Sequence, residues 1–208
     1  MRAEIDDLIA RIRSLEGELE NRLAERRRAF GYRMRQGRIV ISRRVRKRQQ
    51  ALKIGLHRYL LASGVMAVLT APFIYIVVLP IAALDAFASL YQSICFRVYG
   101  LARVRRRDYV VFDRHKLPYL NVIQKLNCLY CAYANGVLAY VAEIASRTEQ
   151  YWCPIKHAAR VTGTHRRYDG FLEYGDVADY PEGLEGQRQK LKQELEAGKA
   201  KTPPEGGA

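Results

Sequence analysis

Residues 59–96 read YLLASGVMAVLTAPFIYIVVLPIAALDAFASLYQSICF, and this stretch decides the fold. Among its 38 residues, Asp85 is the one charged side chain. A helix needs about 20 apolar residues to cross the hydrocarbon core of a bilayer, so the stretch is long for one crossing and short for two. Pro80 divides it, and proline tends to break or kink a helix because it lacks the backbone N–H. The pattern predicts a membrane-embedded hairpin of two helices that meet near Pro80, over residues 59–97.

The charges on either side of this stretch predict its orientation. Residues 26–58 carry 13 Arg or Lys and no Asp or Glu, and residues 97–107 carry five Arg or Lys and no acid. Cations beside membrane helices stay on the cytoplasmic side. Two basic flanks therefore predict that both termini are cytoplasmic, which a hairpin satisfies. A single span with a second, interfacial helix is one alternative, and a buried helical pair in a soluble protein is the other.

Asp85 is a conspicuous charge within so apolar a stretch. Intramembrane carboxylates usually mark a polar path or a partner. Because Asp85 follows Pro80 by only five residues, we expect it near the turn of the hairpin, within reach of water.

The basic residues also indicate a partner. The net charge of +14 is concentrated in the two flanks, and each such cation is attracted to anionic lipid by about 1 kcal/mol. Residues 31–58 read as a basic juxtamembrane collar in the headgroup zone. The collar could also bind nucleic acid, but the adjoining apolar stretch favours lipid. Residues 1–25 are highly charged and have no apolar core, so no signal peptide is expected.

Residues 1–30 are predicted to form an amphipathic helix from position 3 onward. The apolar spacings are 3, 4, 3 and 4, an a/d seam of barely two heptads through Ile5, Leu8, Ile12, Leu15 and Leu19. So short a coiled coil is weak alone, but tethering to a membrane raises the local concentration. A homodimer through residues 3–24 is one interpretation. A single amphipathic helix packed on its own protein is the other.

The remainder is predicted to form a small helical module, residues 98–178, followed by a tail. A short strand is expected at Tyr109–Phe112, and helices at residues 117–127 and 136–148, where apolar residues recur at spacings of 3 and 4. Residues 179–208 are predicted to be a charged, largely disordered tail with a short helix around Gln187–Leu195. The fold class that follows is mainly α.

Three cysteines and a histidine in this module form the pattern most suggestive of chemistry. Cys128 and Cys131 are spaced C-x2-C, and Cys153 and His157 follow as C-x3-H. Each pair can reach one tetrahedral ion, and Cys3His is a common structural zinc set. A metal would also stabilise a module with so small a core. The sequence therefore predicts that these four residues bind structural zinc on the cytoplasmic face.

The predicted zinc site sets a condition on the chain between the two pairs. A helix over residues 136–148 would be about 20 Å long. Residues 132–135 and 149–152 can each span about 13 Å when extended, so the site closes if they fold back along the helix.

Other interpretations of the cysteines remain open. Three cysteines with a histidine or an external ligand would also hold an iron–sulfur cluster. Cys128 and Cys131 could form a thiol–disulfide pair, although no thioredoxin-like pattern surrounds them. They could also be small buried apolar residues. His115 and His165 are spare ligand candidates, each without a partner at ligand spacing.

No phosphate-binding glycine loop, Ser–His–Asp triad or paired-carboxylate site is recognisable in the chain. The function this favours is a non-enzymatic, membrane-anchored scaffold or regulatory module that holds a protein partner of unknown identity. The alternative is a membrane-bound redox protein that uses the same cysteines.

The segments around the cysteines resemble a group of bacterial membrane-associated proteins of unknown activity. The resemblance lies in LNCLYCAYANG at residues 126–136 and EQYWCPIKHA at residues 149–158, about a quarter of the chain. It implies a bacterial protein and no activity. Together with the basic flanks, the expected location is the bacterial inner membrane.

Overall fold

The computed structural model describes residues 2–29, 32–35, 38–176 and 180–200, and the protein is mainly helical. Its internal contacts divide it into two units. The first comprises residues 1–62 with 115–125, and the second comprises residues 63–114 with 126–208.

The first unit begins with helix α1, Arg2–Ala29, which coincides with the predicted amphipathic helix. Strands β1, Tyr32–Arg35, and β2, Arg38–Ile41, then form an antiparallel pair with Tyr32 opposite Ile41. Helices α2, Arg43–Ala51, and α3, Leu56–Ser63, complete the collar. The strand pair was not predicted, because the many arginines of the collar conceal its short period-2 pattern.

The second unit contains the apolar stretch and the cysteines. Its helices are α4, Val65–Ile76; α5, Val78–Tyr99; α6, Val122–Trp152, which begins in the first unit; and α7, Tyr180–Ala200. Residues 100–114, named here the connector, follow α5 and are mostly irregular. The predicted strand at Tyr109–Phe112 is absent from this described segment. Helix α7 fills most of the segment that was predicted to be disordered, and residues 201–208 lie outside the described part.

The predicted hairpin near Pro80 is wrong. The break between α4 and α5 is the single residue Val77, whose backbone is itself right-handed helical at φ −63° and ψ −17°. Pro80 is the third residue of α5. The first turn of a helix has no acceptor for its N–H groups, so proline costs no hydrogen bond there. The chain therefore continues in helical conformation to Tyr99 instead of reversing.

The chain runs back along α5 in the connector, and α6 then runs in the same direction as α5. Partners along the two helices advance together: Asp85 meets Tyr133, Ser89 meets Tyr140, and Tyr91 meets Thr148. Tyr75 of α4 extends the series by meeting Asn127. Parallel neighbours need a connection that returns along their length. The connector supplies it, and its Val104 and Val110 are buried.

The two helices predicted at residues 117–127 and 136–148 are instead one. Helix α6 runs without interruption from Val122 to Trp152, through the segments expected to be extended. Gly136 lies in its interior, where glycine normally costs about 1 kcal/mol relative to alanine. The backbone of Tyr109 and Val110 passes so close to Gly136 that an added Cβ would lie 2.8 Å from the Tyr109 carbonyl oxygen. Close packing of the connector, rather than a helix end, thus explains the glycine.

The core of the second unit lies between the C-terminal halves of α5 and α6, the connector and α7. It is formed by Phe96, Leu101, Val104, Tyr140, Ile144 and Leu191. Beside it, the guanidinium of Arg167 joins its own loop to two helices: it donates to Glu143 and Gln150 of α6 and to Glu194 of α7. These contacts hold the loop of residues 153–176 and α7 against α6.

Candidate membrane-binding surface

Helix α5 has inverted polarity: its polar side faces the protein and its apolar side faces outward. Asp85 and Gln92 are buried, with 7% and 2% of their surface exposed. Soluble proteins usually show the opposite arrangement on a surface helix. The two sides of α5 are therefore suited to different surroundings.

The buried side of α5 binds the backbone of the connector. The side-chain amide of Gln92 accepts a hydrogen bond from the Val104 N–H at 2.9 Å and donates to the Val104 carbonyl at 3.3 Å. Its nitrogen also donates to the Tyr140 hydroxyl. Buried backbone groups outside helices and sheets need such partners. Gln92 thus lets an irregular segment pack between two helices.

Asp85 forms the second attachment of the connector. Arg106 Nε donates to both carboxylate oxygens at 3.0 Å, Arg106 Nη2 donates to Oδ2 at 2.7 Å, and the Tyr133 hydroxyl donates to Oδ2 at 3.1 Å. The expectation that Asp85 lies at a water-exposed turn is wrong. Its partner Arg106 is 21 residues away in the chain, so the local sequence gave no indication of the pair.

The outer side of α5 is a continuous apolar stripe. Its members recur at spacings of 3 and 4: Leu84, Phe87, Leu90, Ile94 and Val98. All five are exposed, Phe87 and Val98 at 72% and 76%. Large contiguous apolar surfaces of this kind mark contact with a membrane or a protein. We name these five residues the outer stripe.

Helix α4 extends this apolar surface. None of residues 65–84 is buried, and none carries a charge. Tyr75 makes a polar contact with α6: its hydroxyl donates to the Asn127 side chain, and its ring stacks edge to face on Tyr130. A helix that is apolar on all sides is normally surrounded by protein or lipid. By length and composition Val65–Tyr99 and Val122–Trp152 could each cross a membrane, criteria that the core helices of soluble proteins can also meet.

An aromatic cluster closes the C-terminal end of the α5–α6 pair. The rings of Tyr99 and Tyr151 stack at 5.1 Å, and Trp152 meets Tyr99 edge to face at 5.5 Å. The Arg188 guanidinium lies 4.9 Å from the centre of the Tyr151 ring. Tyr and Trp are enriched where apolar and aqueous surroundings meet.

The structure does not bring the four predicted zinc ligands together. Cys128 and Cys131 lie one turn apart on α6, whereas Cys153 follows the end of the same helix. The 22 residues from Cys131 to Cys153 span about 33 Å of helix. The imidazole of His157 instead contacts the Tyr168 hydroxyl, 3.2 Å from Nδ1. Among the described residues, no three His, Cys, Asp or Glu side chains form a metal-binding group.

This separation predicts the metal content of the purified protein. Because Cys131 and Cys153 are held about 33 Å apart by one helix, one chain cannot place them on the same ion. We expect elemental analysis of protein purified without oxygen to give well under one zinc or iron per chain. A Cys128→Ser/Cys131→Ser variant is the control and should have the same metal content. One equivalent of metal that the variant loses would show that α6 is not continuous in solution.

His165, a spare ligand candidate, pairs with Glu149 at 2.8 Å between Nε2 and the carboxylate. His115 is the other candidate. Its Nδ1 atom is buried and has no hydrogen-bond partner among the described residues. Among the described residues, neither histidine joins two further His, Cys, Asp or Glu side chains in a group that could hold a metal ion.

Comparison with protein-family models, with curated proteins and with solved structures found no match. The described residues define a mainly helical protein in which two helical segments, Val65–Tyr99 and Val122–Trp152, are apolar enough for a membrane. Asp85 was singled out from the sequence, but the other polar residues on the buried side of α5, Ser89 and Gln92, were not. Their signal was present: Asp85, Ser89 and Gln92 are spaced 4 and 3, a polar stripe on an otherwise apolar helix.

Proposed function

We propose that this protein is a non-enzymatic, membrane-anchored scaffold that lies lengthwise in the cytoplasmic leaflet of a bacterial inner membrane. The observation that carries the proposal is the inverted polarity of α5, with Gln92 buried and Phe87 exposed on opposite sides of one helix. Lipid can cover the outer stripe, and the protein itself satisfies the polar side. In this arrangement α4 and α5 lie in the membrane plane, with their apolar side in the acyl chains.

The connector favours an in-plane position over a crossing. It returns alongside α5 as irregular backbone, and it carries exposed charges at Arg105, Arg107 and Asp108. Lipid-exposed irregular backbone is not tolerated in the hydrocarbon core, because its polar groups would lack partners. The C-terminal half of α5 is thus suited to contact lipid along one side only.

The charged flanks agree with this position. Both basic segments, residues 26–58 and 97–107, can stay with anionic headgroups on one side of the membrane if the helix between them does not cross. The proposal keeps both termini cytoplasmic without a hairpin. The aromatic cluster of Tyr99, Tyr151 and Trp152 would lie at the level of the headgroups.

The scaffold assignment is favoured by what the polar side chains do. Hydrogen bonds join Gln92 of α5 to Tyr140 of α6 and to the connector, and they join Asp85 of α5 to Tyr133 of α6. Such mutual pairing is expected of groups that fix a structure.

The depth of two positions in the bilayer tests the in-plane arrangement. Phe87 and Val98 lie on the same side of α5, eleven residues or about 16 Å apart along the axis. Each is replaced singly by Trp in a Trp152→Phe background and reconstituted in vesicles containing anionic lipid. Quenching by lipids labelled at different depths should place both tryptophans at equal depth to within about 3 Å, because the outer stripe lies parallel to the surface.

A Tyr174→Trp variant is the matched control, since Tyr174 is exposed on the loop after α6 and should remain unquenched. Depths that differ by about 16 Å would show a crossing helix and overturn the in-plane arrangement. The absence of quenching at both positions would overturn membrane contact through α5 altogether.

A further inference from the structure

Helix α1 exposes a second apolar surface, separate from the outer stripe. Leu8, Ile12, Leu15 and Leu19 follow one another at spacings of 4, 3 and 4, and each is between 57% and 59% exposed. Four large aliphatic side chains on one side of a helix are not stable in water without a partner. The charged residues of α1 indicate what kind of partner covers this surface.

The charge of α1 disfavours a membrane surface. Residues 2–25 carry seven Asp or Glu and four Arg, in contrast to the purely basic segment of residues 26–58. An anionic headgroup layer attracts cations and repels carboxylates. The apolar side of α1 is thus suited to protein, whereas the segment that follows it is suited to lipid.

We propose that α1 pairs with α1 of a second copy as a parallel, in-register, two-stranded coiled coil. Two independent features select this geometry. In heptad terms Ile12 and Leu19 occupy position a, and Leu8 and Leu15 occupy position d, so the central a position is β-branched. A β-branched residue at a with leucine at d favours two parallel strands over three or four.

The second feature is charge complementarity across the pair. In a parallel dimer the residue at g faces the residue at the following e of the partner. Arg11 stands at g and Glu16 at the following e, so two attractive Arg11–Glu16 contacts form between the copies. The seam ends at Arg22, which takes the next d position and lies 3.8 Å from Glu18 of its own helix. The paired segment is therefore about two heptads long, and confinement to a membrane would supply the local concentration it needs.

Cysteine cross-linking of the full-length protein tests the partner and the orientation. In a background with the native cysteines replaced by alanine, Leu8→Cys places a thiol at d, and Ala10→Cys places one at f on the outer side of the same helix. In vesicles under mild oxidation, we expect Leu8→Cys to form a disulfide-linked dimer and Ala10→Cys to form at least tenfold less, because only d positions face each other. Cross-linking that is equal at both positions, or absent at Leu8→Cys, would overturn the proposal.

Charge exchange tests the register without altering the apolar seam. Arg11→Glu and Glu16→Arg each turn two attractive contacts into repulsive ones, so each should weaken the dimer on the order of tenfold. The double variant should restore the affinity, measured by energy transfer between labelled copies in vesicles. A dimer that both single variants leave unchanged, or a trimer, would overturn the parallel two-stranded arrangement. Vesicle binding of every variant should be unaffected, so the outcome is independent of the membrane proposal.

Discussion

Replacing Arg167 by Met is expected to lower the free energy of unfolding of the second unit by about 3 kcal/mol. The guanidinium lies between the carboxylates of Glu143 and Glu194, with nitrogen–oxygen distances of 2.8 to 3.0 Å. Its side chain is only 16% exposed, and that of Glu143 is 21% exposed. Burial disfavours the charge on Arg167, but the hydrogen bonds to Glu194 and Glu143 more than compensate and raise its pKa above the ordinary value. Methionine would leave Glu143 with a single cationic partner, Arg147, in a largely dry site.

Thermal unfolding followed by circular dichroism in detergent measures this effect. A loss of about 3 kcal/mol corresponds to a fall in Tm of roughly 6–12 °C. Because Arg167 joins the loop and α7 to α6, limited proteolysis should also cut the loop of residues 153–176 faster. Arg160→Met is the control, since Arg160 is exposed on the same loop and its loss should change Tm little. A similar Tm for both variants would mean that Arg167 does not hold α7 in place.

Replacing Gly136 by Ala is expected to destabilise the protein by about 1–3 kcal/mol, although the same change at an open helical position is stabilising. The added Cβ would lie 2.8 Å from the Tyr109 carbonyl oxygen and 2.9 Å from the Val110 Cα. Both are backbone atoms, so neither can move aside as a flexible side chain would. The connector would have to leave the groove between α5 and α6, which would strain the contacts of Gln92 and Arg106.

Gly186→Ala in α7 is the matched control, because a Cβ there meets no atom within 4 Å. We expect this variant to raise the free energy of unfolding by up to about 1 kcal/mol, the ordinary helix preference of alanine over glycine. Opposite signs for the two alanines, measured in the same detergent, would confirm the path of the connector. If Gly136→Ala stabilises as much as Gly186→Ala, the connector does not pass against α6.

The proposed in-plane arrangement would account for the apolar stretch of residues 59–96 without a hairpin. Its length suggested two helices, and the basic flanks suggested that both ends stay on one side of the membrane. A hairpin is one way to meet the second condition. A helix that never crosses is another, and it needs no turn at Pro80. The ion pair between the buried Asp85 and the exposed Arg106 then has a structural explanation, as an attachment of the connector to the protein side of α5.

The sequence by itself determined the features that depend on neighbouring residues. The periodicity of Leu8, Ile12 and Leu15 predicted α1, which the structure confirms within a residue at either end. The apolar stretch of residues 59–96 predicted apolar helices, and in the described part of the chain Val65–Tyr99 is long and apolar enough to cross a membrane. Helix formation and hydropathy are sums over adjacent positions, so a window of the sequence contains most of what decides them.

Only the tertiary structure decided which side of each helix faces the protein and where helices end. Proline and glycine both have low helix propensity, yet Pro80 and Gly136 lie within helices. Pro80 occupies the first turn of α5, which needs no N–H donor, and Gly136 leaves room for the backbone of the connector. Asp85 found its partner 21 residues away, and Gln92 bound a backbone that local spacing could not place beside it. The cysteine spacing suggested a shared ion, but one continuous α6 separates the two pairs. Contacts between distant residues depend on the path of the whole chain, because packing overrides local propensity wherever the two disagree.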